Sequence, residues 1–192
     1  MKHPSTRQLF AYWNERRGLR SAPERADIEP GPIRRLLGDS FILWFEPSLD
    51  HPFRLAGTRV CAMFGRELKG EPFIHLWRAG DRSRVRDVLT IAADEAIGAV
   101  AGVTAQSGDG ASFELELMLL PLRHHGDLHA RVLGILAPND IPLRLGRDTV
   151  TSLRLGPLRH LDPAREASPP AFSDPSEAPA RPKLTVYDGG RA

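Results

Sequence analysis

Residues Val100–Leu119, VAGVTAQSGDGASFELELML, decide the fold, because here the apolar spacing of the chain changes to two. Val100–Gln106 reads as an extended run. Ser107-Gly108-Asp109-Gly110 carries turn chemistry, and Phe113, Leu115, Leu117 and Leu119 then alternate with Glu114, Glu116 and Met118. Alternation around such a turn predicts an antiparallel hairpin with one apolar and one wet face. A third strand, Leu128–Leu136, follows the His125-Gly126-Asp127 turn, so the second half of the chain is a three-stranded meander.

Upstream the period is helical. Asp81 is placed to cap a helix whose Val85, Val88, Leu89, Ala92, Ala96 and Ile97 share one face, with Gly98 as the stop. Before it, Thr58–Phe64 reads as a short helix closed by Gly65, and Pro72–Trp77 as a further helical turn. Ser40–Glu46 (SFILWFE), ended by Pro47, and Phe53–Ala56, ended by Gly57, read as two more strands. At the start, Pro4–Arg17 carries Leu9, Tyr12, Trp13 and Arg16 at i, i+3, i+4, i+7 spacing before Gly18, the pattern of a helix with an aromatic stripe.

The predicted organisation is an N-terminal helical extension (1–38), a core (39–145), a connector (146–161) and a tail (162–192). The tail holds six prolines among Ala, Ser and Glu, a composition that cannot bury enough apolar surface to order itself. Leu184–Tyr187 is an apolar island within it, a candidate docking strand.

Composition excludes several classes. One cysteine, Cys61, permits no intramolecular disulfide and no thiolate-rich metal site, which fits a reducing cytoplasm. No apolar run approaches the roughly 20 residues of a membrane span, and no secretory leader is recognised. The 26 basic and 24 acidic residues nearly balance, against bulk nucleic-acid binding. There is no GxxxxGK[ST], GxGxxG, HExxH or GxSxG, so nucleotide, metalloprotease and hydrolase-elbow chemistry are unsupported and no acid–base pair can be named. The expectation is a non-enzyme with no metal site. His124, His125 and His129 could meet across a turn, but a solvated hairpin tip explains them better.

Two strands, short helices, a long helix and a meander is the element order of the PAS fold. The phrases LFAYWNERRG (Leu9–Gly18), PERADIEPGPIRRLL (Pro23–Leu37), FRLAGTRVCAMFGRELKG (Phe53–Gly70) and RVLGILAP (Arg131–Pro138) stand in an order that resembles an alphaproteobacterial family of PAS-like regulatory proteins. The resemblance covers about residues 1–145 and implies an α+β, PAS-like fold, a five-stranded antiparallel sheet with flanking helices and an N-terminal helix. It also implies a signalling module that acts through a protein partner. The alternative is a sensor whose cavity, walled by Phe45, Phe53, Phe64 and Leu89, binds a small molecule or cofactor of unknown identity. N-terminal helices that flank PAS cores often exchange between subunits, so Leu9, Tyr12 and Trp13 are dimer-interface candidates and a homodimer is expected. Cys61 lacks the Asn and Arg surroundings of a flavin-photoreceptor cysteine and reads as a small packed residue. His75, near the place of haem ligands in some relatives, reads as a packed or surface histidine.

Overall fold

A computed structural model describes residues 1–124, 127–139 and 149–161, with 127–129 as backbone only. The Leu184–Tyr187 island and the His125 and His129 side chains lie outside the described residues.

Helix α1 (Pro4–Arg17) leads through a Pro-rich connector to strands β1 (Ser40–Trp44) and β2 (Phe53–Ala56). Helix α2 (Thr58–Phe64), a 3₁₀ turn at Phe73–Leu76 and helix α3 (Arg82–Asp94) follow. The chain then forms β3 (Gly98–Ser107), β4 (Ser112–His124), β5 (Asp127–Pro138) and β6 (Val150–Leu161). The strands form one antiparallel sheet in the order β2-β1-β5-β4-β3-β6, so the two chain halves join where β1 pairs with β5.

The sheet has six strands among the described residues, not five. β6 occupies 150–161, where a connector was expected, and pairs with β3 from Gly98↔Leu161 to Ser107↔Val150. Gly156-Pro157 interrupts the alternation of this segment and hides it as a strand. In the ladder those two residues stand opposite the single Gly102, a bulge that lets pairing resume at Leu158↔Ala101.

Both faces of the sheet carry apolar layers. The inner layer joins Phe41, Leu43, Leu117 and Leu119 of the sheet to Val60, Phe64, Phe73, Trp77, Val85 and Leu89 of the helical elements. The outer layer joins Ile42, Met118, Leu120, Leu122 and Ile135 to Leu9, Phe10, Tyr12 and Trp13 of α1, with Ile28, Ile33 and Leu36 of the connector. The wet face expected for the β3–β4 hairpin is therefore dry along much of β4: Glu116 and Met118 are buried because α1 lies across them. Trp13 Nε1 donates to the Pro121 carbonyl at 2.9 Å within this layer.

Glu116 fixes the start of α1. Its carboxylate accepts from the Lys2 and His3 backbone N–H groups at 2.7 and 3.0 Å and from the Thr6 hydroxyl. The two N–H groups lie at the helix entry, where backbone donors have no partner within the helix; the Thr6 hydroxyl also lies 2.8 Å from the His3 carbonyl. Burial raises the carboxyl pKa, but the three hydrogen bonds to the charged form outweigh it and hold the value below the usual Glu range.

Two local expectations are corrected. Asp81 precedes α3, but its side chain does not cap the helix; its Oδ2 accepts from the Leu155 N–H of β6 at 3.2 Å. α3 ends at Asp94, and Gly98 opens β3 rather than closing the helix.

Candidate functional site

The inner layer is where a cavity was expected, and four rings fill it. Phe41, Phe53 and Phe73 lie within 5.5–5.6 Å of one another, centre to centre, and Trp77 stands edge-on to Phe73 at 5.7 Å. The cluster fits because β5 carries Gly134 beneath Phe41: a Cβ there would lie 2.1 Å from the ring. Phe53, Phe64 and Leu89 are buried in this layer, and Phe45 sits half-buried at its rim, its ring tilted against that of His51 at 4.9 Å. The structure thus gathers the four cavity candidates around one core whose space is taken by side chains. A void of about 10 Å³ between α3 and the sheet is lined by Val85, Val88, Ala99, Ala101, Leu117, Leu119, Leu155 and Leu158, none of them a candidate. It holds at most one water.

Two polar atoms of this region are buried without a partner among the described residues, Trp77 Nε1 and His51 Nδ1. Burial pushes the His51 pKa down, so the ring is neutral. Its neighbour Asp50 accepts from Arg86 Nε and Nη2 at 3.1 and 2.9 Å and faces His75 Nε2 at 3.2 Å, tying the β1–β2 loop to α3. His75 is an exposed surface residue. Cys61 is half-buried on α2, with Sγ 3.6 Å from Glu67 Oε1. Burial, joined by the Glu67 charge, pushes its thiol pKa up, opposite to what a reactive thiolate needs. Among the described residues no three His, Cys, Asp or Glu side chains are grouped to hold a metal.

The outer layer is sealed over only part of the sheet. Beyond α1, a groove of about 360 Å³ runs between the connector and the β2–β1–β5 end. Its floor is Ile42, Leu55 and Leu133; its wall includes Ile28, Pro30, Ile33 and Leu37. The wall stays close to the sheet because the chain at Gly57 abuts the Leu37 carbonyl, 2.1 Å from where a Cβ would stand. Gly57 has an ordinary φ of −70°, so it is needed there for close approach rather than for a sharp turn.

Two register positions along from Ile42↔Leu133, on the same face, is the pair Trp44↔Arg131. Trp44 is 42% exposed, with Arg131 Cζ 4.8 Å and Arg54 Cζ 5.4 Å from its ring centre. Burial, then the charges of Arg54 and Arg25, push the Arg131 pKa down, and Arg25 lines the neighbouring groove. No ion pair to a carboxylate is seen for any of them among the described residues, although Arg20, Arg59, Arg86 and Arg123 each have one.

The sequence pattern singles out neither Trp44 nor Arg25, Arg54 and Arg131. The available signal was the alternation in β1: if Phe41 and Leu43 face the inner layer, Ile42 and Trp44 face out. The arginines become neighbours of Trp44 only through strand pairing. Leu9, Tyr12 and Trp13, the dimer-interface candidates, are all buried against the chain's own sheet and connector.

A PAS domain family model matches residues 1–137. Solved structures similar to this chain include a LOV protein of Rhodobacter sphaeroides, at 16% identity over 55% of this chain and 61% of that one, TM-score 0.44. The PAS domain of an HTR-like protein from Haloarcula marismortui is 20% identical over 55% of this chain and 88% of that one, TM-score 0.41. A PAS domain from Colwellia psychrerythraea gives 16% over 55% and 92%, TM-score 0.41. The chain thus spans a little under two thirds of the Rhodobacter protein's length. Among curated proteins there is no match. No helix among the described residues is long and apolar enough to cross a membrane.

Proposed function

The chain belongs to the PAS domain family, and from that premise we propose that it is a non-enzymatic regulatory module of the cytoplasm that signals by docking a protein partner on the outer face of its sheet. The observation that carries this reading is the contrast between the two faces. The inner core holds a packed cluster of four aromatic rings, and the void between α3 and the sheet is only about 10 Å³, whereas the outer face leaves Leu55 and Trp44 exposed beside an open apolar groove. An exposed aromatic with flanking arginines and a neighbouring apolar floor has the composition of an interaction surface. A homodimer formed through Leu9, Tyr12 and Trp13 would require α1 to leave its own sheet and take the same place on a second copy, as exchanged helices do.

The test is capture from lysate of the source cells with the wild-type chain and with a Leu55→Ser/Trp44→Ser variant. A partner retained by the wild type and by a Leu19→Ser surface control, but lost from the double variant, supports the reading. Capture that ignores the double variant removes it.

A second reading, a small-molecule sensor, is favoured by the Trp77 indole N–H, a buried donor with no acceptor. A ligand carbonyl would satisfy it, at the cost of opening the ring cluster. Native mass spectrometry and an absorption spectrum of the purified protein check this: a retained mass or a visible band supports the sensor, and the bare polypeptide mass supports the docking module.

A further inference from the structure

The chemistry of the outer groove narrows what binds there. We infer that the groove and the Arg25–Arg54–Arg131 corner take an acidic linear segment of a partner protein that carries large apolar side chains, an inference that rests on the docking reading above.

Charge is the first argument. Two guanidiniums, Arg54 and Arg131, lie over an exposed indole, Arg25 lines the groove beside them, and none of the three has a carboxylate partner among the described residues. Like charges held together repel, and an incoming carboxylate relieves that repulsion while gaining charge-assisted hydrogen bonds. The indole holds Arg54 and Arg131 over its ring without consuming their N–H donors.

Shape is the second. The groove floor and wall are aliphatic, with Arg25 as the charged side chain among them. The guanidinium corner begins two residues along β1 and β5, about 7 Å away at strand spacing. A segment lying along the groove therefore places apolar side chains against Ile42, Leu55 and Leu133 and an acidic residue against Arg54 and Arg131.

The same features weigh against two other occupants. A nucleic acid needs a basic track along its backbone, and here the larger part of the surface is apolar. A second copy docked two-fold about this corner would place the same arginines against each other, because an isologous contact repeats one patch on both sides.

The experiment uses the full chain and dye-labelled 14-residue peptides read by fluorescence anisotropy. One peptide alternates Glu or Asp with Leu or Phe, a second has Lys for every acid, and a third has Ser for every Leu and Phe. Oligo(dT) of 12 nucleotides is the nucleic-acid arm, and sedimentation of the protein alone is the self-association arm. The acidic–apolar peptide is expected to bind, to weaken at least tenfold with Arg54→Ala/Arg131→Ala, and to weaken on raising NaCl from 50 to 300 mM. Arg66→Ala should leave it unchanged. The charge-reversed Arg54→Glu/Arg131→Glu chain should prefer the Lys peptide, a gain that misfolding cannot mimic.

Failure of the acidic peptide to bind below millimolar concentration overturns the inference, as does equal binding of the Lys peptide to the wild type. So does oligo(dT) binding lost in the same variants, or self-association lost on Trp44→Ala. If partner capture still depends on Leu55 and Trp44 while the acidic peptide fails, the docking reading survives and only the acidic chemistry falls.

Discussion

The two faces of this sheet are sealed by different means. The inner face is closed by helices that follow β1 and β2 in sequence, and four aromatic rings pack together between them and the sheet. The outer face is closed by α1 and the connector, elements that precede the sheet, and only over β4 and its neighbours. At the β2–β1–β5 end the cover stops, and what is left open is an apolar groove with a cationic corner. Burial on one face makes the fold stable; incomplete burial on the other leaves binding free energy unused, and that is where recognition is possible.

The largest expected effect tests whether α1 truly seals its half. Trp13→Ala removes a fully buried indole and its hydrogen bond to the Pro121 carbonyl. A loss of about 3–5 kcal/mol in denaturant unfolding is expected, with amide protection across α1 collapsing before that of α3. If α1 keeps its protection, the outer seal rests on the connector instead.

Gly134→Ala probes the inner seal. Its Cβ would meet the Phe41 ring at 2.1 Å, and the ring has Phe53 and Phe73 beside it. A destabilisation of about 1–3 kcal/mol is expected from overpacking, seen as a lower unfolding midpoint. A neutral result would mean that the core holds more space than its void suggests.

Much of this contrast was legible in the sequence. The period of two from Val100 to Leu119 and the helical period of α1, α2 and α3 follow from local patterns, and both survive in the fold because one apolar face matches one element. What local pattern cannot carry is a second cover. Glu116 and Met118 read as solvent-facing because alternation reports polarity, not the helix from residues 4–17 that returns to lie on them. β6 escaped because Gly156-Pro157 breaks its alternation and only the partner strand, through its bulge, makes the break harmless. The cavity candidates Phe45, Phe53, Phe64 and Leu89 lie around one core in the structure, but whether a core encloses space depends on packing, which spacing does not encode. The arginine corner is further from sequence still, since Arg25, Arg54 and Arg131 lie on three different segments.

A smaller effect sharpens the outer half. Glu116→Gln keeps the shape of the side chain but weakens the three hydrogen bonds its charge receives at the start of α1. About 1 kcal/mol of stability should be lost. Because the folded-state pKa of Glu116 lies below its unfolded value, its contribution is complete above the unfolded pKa and disappears as pH falls through the folded one. The wild type should therefore lose protection at the first turn of α1 on acidification, and the Gln variant should not show that step. A step of equal size in both would assign it to other carboxylates.

The smallest effect is expected at Trp44, and its smallness is informative. Trp44 and Trp13 are the same residue type on the same side of the sheet, one under α1 and one beyond its reach. Trp44→Ala removes an indole that is 42% exposed and carries the guanidiniums of Arg54 and Arg131 over its ring. Surface substitutions of this kind stay within about 0.5 kcal/mol. A large indole left on the surface without stabilising the fold is better explained by binding than by packing. A loss at Trp44 approaching that at Trp13 would show the opposite: that the open end of the outer face is already part of the core, and that the groove beside it closes on this chain's own residues.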